Sequence, residues 1–280
     1  MNRICICGAG TMGSGIAQVI ATAGFSTILY DISESILEKA REKINSGLQF
    51  LVEKNKISGK EKTEIIQRIL FTSDKTRCRA DLLIEAVIEK MEAKINLFRD
   101  LVPVNSEDVI FVSNTSSLSV SVLAKELPRP ERVAGLHFFN PAPQMKLVEV
   151  VKGEQTSDEV VQVLTEFTRR LGKEPVVCRD SPGFIVNRVA RPFYIESLRL
   201  VEEGLVEIPV IDRLLEARGF KMGPFKLMDL IGNDINYAVS CSVYEQLQQP
   251  ERLKPSYLQK EKLEKGELGR KTGKGYYDYD

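Results

Sequence analysis

Histidine is almost missing from this chain: His137 is the only one in 280 residues. Proton transfer near neutral pH falls to histidine by default, so any such work rests on one position. A charge excess is missing as well. Lys plus Arg and Asp plus Glu number 39 each, which argues against the basic footprint of a nucleic-acid-binding protein. The five cysteines are odd in number and hold no CxxC pair, so neither a disulfide framework nor a metal site is expected. No uninterrupted apolar run is long enough to span a bilayer. Met1-Asn2-Arg3 leads straight into a strand-like run, which is not the pattern of a secretory signal. There is no internal repeat and no low-complexity linker. These absences leave a chain of ordinary globular composition, expected in the reducing cytoplasm without a nucleic-acid or membrane partner.

The first stretch with chemical content is at the N-terminus. Ile4-Cys5-Ile6-Cys7 reads as a strand whose cysteines share one face as small core residues. The loop Gly8-Ala9-Gly10-Thr11-Met12-Gly13 follows, then a helix over 14–23 and a second strand over 26–30 that closes with Asp31. Strand, GxGxxG, helix, strand and acid in this order form a dinucleotide fingerprint. Gly8 permits the tight turn, Gly10 lets backbone approach a pyrophosphate, and Gly13 lets helix and strand pack closely. The helix N-terminus offers unpaired N–H groups to phosphate. Asp31 would accept from both ribose hydroxyls and repel a 2′-phosphate, so NAD is expected over NADP.

Helices are expected over 34–54 and 60–70, with strands over 81–87, 109–112, 132–136, 145–151 and 175–178. Helices over 91–101, 118–125 and 157–171 separate them. The continuous apolar character of the strands over 81–87 and 109–112 is that of a parallel sheet. Ser113-Asn114-Thr115-Ser116-Ser117 follows one strand at its C-terminal end, and His137 ends another. That rim of an open α/β sheet is where ligands bind. In the strand over 145–151, the period of two sets Glu149 on a face with Met145, Leu147 and Val151. A carboxylate buried alone there is costly, and an imidazole is its natural partner. The alternative is an edge strand with Glu149 in water.

After the breaker Asp180-Ser181-Pro182-Gly183 the pattern becomes helical, with helices expected over 184–204, 209–218, 227–247 and 256–265. The glycine-rich, aromatic tail from Gly269 to Tyr277 is expected to pack back on the body rather than fray. The fold class is therefore an α/β Rossmann-type NAD-binding domain over 1–180, followed by an all-α C-terminal domain over 183–280.

Seven stretches together resemble the 3-hydroxyacyl-CoA dehydrogenase family, in particular its short bacterial 3-hydroxybutyryl-CoA members. They are GAGTMGSGIAQ at 8–18, SNTSSLS at 113–119, HFFNPAP at 137–143, MKLVEV at 145–150, DSPGFIVNR at 180–188, MGPFKLMDLIGND at 222–234 and GRKTGKGYYDY at 269–279. The resemblance implies a catalytic pair of His137 and Glu149 with Ser116 and Asn187 beside it. It implies NAD contacts from Gly8, Gly10, Thr11, Met12, Gly13, Asp31, Glu89, Lys94, Asn114 and Lys271. Lys54 falls where the family meets the coenzyme A part of its acyl-CoA substrate. A homodimer through the helical domain is implied. Closure of that domain over substrate, near the Asp180–Gly183 joint, is a separate expectation. The segment 220–245 resembles the 3-hydroxyadipyl-CoA dehydrogenases of phenylacetate breakdown, which implies a substrate with a second carboxylate. A sugar-acid dehydrogenase and a non-enzymatic NAD-binding relative stay open as alternatives.

Overall fold

The structure is a computed structural model and describes residues 1–279. The chain divides into two compact units, Met1–Asp180 and Ser181–Asp280. The first unit runs β1 (Arg3–Cys7), α1 (Thr11–Thr22), β2 (Ser26–Tyr30), α2 (Glu34–Glu53), α3 (Gly59–Gln67), β3 (Ile69–Thr72), β4 (Leu82–Glu85), α4 (Met91–Leu101), β5 (Ile110–Ser113), α5 (Val120–Lys125), β6 (Val133–Phe138), β7 (Leu147–Lys152), α6 (Asp158–Arg170) and β8 (Glu174–Arg179).

Eight strands form one sheet in the order β3-β2-β1-β4-β5-β6-β7-β8. Strands β1 to β6 are mutually parallel. Strand β7 returns antiparallel to β6, and β8 runs parallel to β7. The strand order reverses between β1 and β4, which opens a ligand crevice at their C-terminal ends. Alternation decides which helices each strand meets. Ile4 and Ile6 pack with Ile16, Ile20, Leu48 and Phe167 on one face. Cys5 and Cys7 pack with Phe98, Leu101 and Leu123 on the other.

The helix expected over 60–70 is shorter. A capping box of Ser58 and Glu61 starts α3, which ends at Gln67. The residues after it, Ile69-Leu70-Phe71-Thr72, pair with β2 as an additional strand. Four residues carry too little period to separate strand from helix, and the sheet edge decides.

The second unit holds α7 (Val186–Glu202), α8 (Ile208–Ala217), α9 (Pro224–Ile231), α10 (Asn233–Gln246) and α11 (Tyr257–Glu264). Tyr194, Leu198, Ile211, Phe225 and Met228 form its core. The single helix expected over 227–247 is two helices, because Gly232 between α9 and α10 takes a φ of +107°. Side-chain-bearing residues avoid that conformation. The tail does pack on this unit. The buried Asp229 carboxylate accepts from the backbone N–H of Tyr276 (2.9 Å) and Tyr277 (3.0 Å) and from the Tyr279 hydroxyl (2.9 Å). Asp212 accepts from the Tyr277 hydroxyl at 2.8 Å. Among the described residues no helix is long and apolar enough to cross a membrane.

Candidate active site

The glycine loop joins β1 to α1 at the point where the strand order reverses. Gly8 has φ +101°, and a Cβ there would stand 2.6 Å from the carbonyl oxygen of Ala86 after β4. A Cβ on Gly13 would stand 1.7 Å from the Gly8 oxygen, so only glycine lets helix and loop close up. Gly10 differs: nothing lies within 4 Å of its Cβ position, so that side of the loop is open to a ligand. Gly10 caps α1 without a side chain, and no acid occupies the first turn. The N–H groups and positive end of the helix at Thr11 and Met12 therefore face outward uncompensated. Asp31 holds the loop from β2, its Oδ2 accepting from Ala9 N (2.8 Å) and its Oδ1 from Ser33 N (3.0 Å). An open, capless loop with this acid behind it fits a dinucleotide pyrophosphate and ribose.

The neighbouring strand ends are tied together by a buried charge cluster. Lys94 is 1% exposed. Its ammonium donates to both Glu85 oxygens (2.7 and 2.9 Å) and pairs with Glu89 Oε2 at 3.0 Å. Glu85, at the end of β4, also accepts from the Ser113 hydroxyl (2.6 Å) and Val87 N (2.7 Å). Burial pushes the Glu85 carboxyl above its ordinary value against the pull of Lys94. Burial works on Glu89 in the same direction, but Lys94 and the donors of Thr115 and Ser116 outweigh it and hold its pKa below the ordinary value. Glu89 Oε1 accepts from Thr115 Oγ1 (2.5 Å), Ser116 N (2.9 Å) and, at 3.4 Å, the hydroxyls of Ser116 and Ser117. Lys94 is thus committed to two carboxylates, and Glu89 shapes the loop that carries Ser116.

Asn114 links that loop to the histidine strand. Its backbone N–H donates to Glu85 O (2.8 Å), and its Oδ1 accepts from Phe138 N (2.8 Å), the residue after His137. Its amide nitrogen is left as the donor available to a ligand. On β6, His137 stands directly opposite Glu149 of β7. His137 Nδ1 and Glu149 Oε2 are 2.7 Å apart, with His137 6% and Glu149 1% exposed. The edge-strand alternative for Glu149 fails, because β7 is paired on both sides. A carboxylate at Nδ1 makes that nitrogen the donor and leaves Nε2 as the basic one. The ring of Phe139 lies 4.4 Å from the imidazole. On β8, burial together with the Glu149 and Asp180 carboxylates pushes the Cys178 thiol up to about 12, which excludes a thiolate nucleophile beside the pair.

Two structural contributors lie outside the site residues expected from the sequence. Lys173, 8% exposed, donates to the carbonyls of Ala142 (2.6 Å), Pro143 (3.3 Å) and Met145 (2.7 Å). It pins the turn between the histidine strand and the glutamate strand. Glu85 ends an apolar strand, and a carboxylate among apolar neighbours, as at Glu149, is the signal that could have found it. Lys54 is exposed at the end of α2, its ammonium 5.5 Å from the Phe50 ring. In the second unit, Asn187 lies in the first turn of α7 and its carbonyl accepts from Arg191. Lys271 pairs there with both Asp234 oxygens (2.6 and 2.7 Å).

Two family models match. Residues 3–181 match the NAD binding domain of 3-hydroxyacyl-CoA dehydrogenase, and residues 183–279 match its C-terminal domain. The chain is 46% identical, over its whole length, to the 3-hydroxyadipyl-CoA dehydrogenase of Escherichia coli K12 and spans 59% of that relative. It is 38% identical to a probable 3-hydroxybutyryl-CoA dehydrogenase of Deinococcus radiodurans, over 98% of this chain and 99% of the relative. Its structure is similar to a crystal structure of (S)-3-hydroxybutyryl-CoA dehydrogenase from Ralstonia eutropha, with TM-score 0.96 and 36% identity. That match covers 100% of this chain and 99% of the other.

Proposed function

The chain belongs to the 3-hydroxyacyl-CoA dehydrogenase family, and from that premise we propose that it interconverts (S)-3-hydroxyacyl-CoA and 3-ketoacyl-CoA with NAD. The observation that carries this reading is the buried His137–Glu149 pair, 2.7 Å apart, on the same sheet rim as the dinucleotide loop. When bound, NAD supplies the acceptor for the hydrogen leaving C3. His137 Nε2 takes the hydroxyl proton in that direction and returns it in the other. Glu149 keeps the proton of the neutral ring on Nδ1 and stabilises the imidazolium that forms. Ser116 and Asn187 hydrogen-bond the reacting oxygen.

The cofactor is held by the backbone of Gly8–Gly13, including Thr11 and Met12, by Asp31 at the ribose and by the Asn114 amide. Lys271 completes the set. Glu89 and Lys94 serve the cofactor from beneath, by fixing the loop that presents Asn114 and Ser116. Lys54 meets the coenzyme A portion. The family's four-carbon substrate and a dicarboxylic six-carbon one share this chemistry, and the 46% identity to a 3-hydroxyadipyl-CoA dehydrogenase favours the second.

A homodimer through the helical unit belongs to the same reading. It is supported by the exposed apolar side chains of Val189, Leu205, Leu214, Phe220 and Ile235, and sedimentation of the purified chain tests it. A reducing, cytoplasmic setting fits the five unpaired cysteines.

The test of the activity is NADH oxidation with a short series of 3-ketoacyl-CoA thioesters that includes a dicarboxylic one. Turnover of at least one is expected. NADH binding without turnover of any thioester overturns the proposal.

A further inference from the structure

Among the described residues Arg191 is a buried cation without a counterion. It lies on α7 and is 2% exposed. Its Nε donates to the Asn187 carbonyl (3.0 Å), and its Nη1 to the Asn236 carbonyl (3.0 Å), Asn236 Oδ1 (3.3 Å) and Ser240 Oγ (2.9 Å). Every acceptor is neutral. No carboxylate among the described residues pairs with it, and its second terminal nitrogen, Nη2, donates to no group there. The Tyr194 ring lies 4.9 Å from the guanidinium. Burial pulls the guanidinium down to about 10, so it stays charged at neutral pH.

The polar groups around it are incompletely satisfied as well. Asn236 Oδ1 is used by Arg191 and by Gln259 Nε2 (2.8 Å), but Asn236 Nδ2 and Gln259 Oε1 are buried with no partner. An unpaired buried charge is strongly destabilising, like a buried salt bridge that has lost one partner. A buried amide donor without an acceptor adds to that. Both deficits have one remedy: an anion with two acceptor oxygens. A guanidinium fork is the side chain best matched to a carboxylate.

The position of Arg191 says which anion. It follows Asn187 by four residues on α7, one helical turn, and is bonded to the Asn187 carbonyl. On the reading above, on which this inference rests, Asn187 holds the oxygen on C3. In a six-carbon dicarboxylic chain the terminal carboxyl carbon lies three bonds beyond C3, a reach comparable to one helical turn of about 5.4 Å. We propose that Arg191, assisted by Asn236, receives the terminal carboxylate of a dicarboxylic 3-hydroxyacyl-CoA and is the residue that selects it over a chain ending in methyl. The carboxylate takes Nη2 and displaces one of the neutral acceptors, and Asn236 Nδ2 gains a partner.

The experiment compares kcat/KM with NADH for 3-ketoadipyl-CoA and acetoacetyl-CoA in the wild-type chain and two variants. Arg191→Met removes the fork. Asn236→Asp keeps it but supplies a permanent internal counterion, and guards against loss of fold in the first variant. The ratio of the two kcat/KM values, dicarboxylic over methyl-ended, is expected to fall tenfold or more in each variant. An unchanged ratio, whether both activities persist or both decline together, overturns the assignment of Arg191 while leaving the dehydrogenase reading intact. A wild-type enzyme that turns over neither thioester overturns that reading, and this inference with it.

Discussion

His137 and Glu149 face each other across adjacent antiparallel strands, Nδ1 to Oε2 at 2.7 Å, with both side chains buried. The reversal of chain direction between β6 and β7 creates this pairing. Cross-strand neighbours in an antiparallel pair have their Cβ atoms about 5 Å apart, within reach of an imidazole and a carboxylate. A parallel β7 would need a long crossover to return to the same edge.

His137→Gln is expected to lower kcat by about 10²- to 10⁴-fold, the usual worth of a general acid–base group. NADH affinity, read by fluorescence titration, should persist, because the glycine loop is untouched. Glu149→Gln should lower kcat as well, since a neutral amide no longer stabilises the imidazolium. Near-normal turnover in His137→Gln would remove the histidine from the mechanism.

Gly13 and Gly10 make a contrasting pair. In Gly13→Ala the new Cβ would overlap the Gly8 oxygen, 1.7 Å away. Helix and loop must separate, at a cost of about 1–3 kcal/mol or more. Both Tm and NADH affinity should fall. In Gly10→Ala the methyl meets nothing within 4 Å, so Tm should stay close to that of the wild type. NADH should nevertheless bind at least tenfold more weakly, because the methyl fills the space left for phosphate. Unaltered NADH affinity in Gly10→Ala would move the pyrophosphate elsewhere.

Much of this was legible from residue type and order alone. The strand–GxGxxG–helix–strand–acid series specifies its own geometry, and the alternation around Glu149 points to a buried partner. The remainder depended on context. Ile69–Thr72 is a strand because β2 offers an open edge, which no local pattern encodes. Gly232 splits a stretch that reads as one helix over 227–247, and a glycine inside such a stretch reads equally as a tolerated helix residue. Lys173 gives no sign in sequence of the three carbonyls it binds, since they lie about 30 residues earlier. Glu89 and Lys94 were expected at the cofactor, and the sequence alone could not reveal that Lys94 is shared by two carboxylates.

Glu89 gives a prediction in pH. Its carboxyl is held below its ordinary value: burial opposes this, but Lys94 and the donors of Thr115 and Ser116 prevail. A depressed carboxylate binds fewer protons folded than unfolded. Its contribution to stability is therefore in place above the ordinary glutamate pKa of about 4.3 and is lost as pH falls through the lower folded value. Glu89→Gln should lower Tm at neutral pH, and the gap to the wild type should narrow as pH drops below that range. It should also lower kcat, because the Ser116 loop loses its acceptor. A Tm gap that is constant with pH would show that the charge of Glu89 is not what holds the loop.

Lys173 offers the sharpest test of how the His137–Glu149 geometry is maintained. Its ammonium gathers three carbonyls of the turn between β6 and β7, and burial pulls its pKa below the ordinary lysine value. Bonds from a charged donor are worth about 1.5–3 kcal/mol each, although a loosened turn would recover part of that from water. Lys173→Met keeps the length of the side chain and removes every donor. A net loss of about 2–4 kcal/mol is expected, read as a lower Tm. Because that turn sets the spacing of the two strands, kcat should fall as well, by about tenfold, and Lys173→Arg should restore part of both. A Tm that drops while kcat stays at the wild-type level would confine Lys173 to stability, and the alignment of the pair would then rest on the strand register alone.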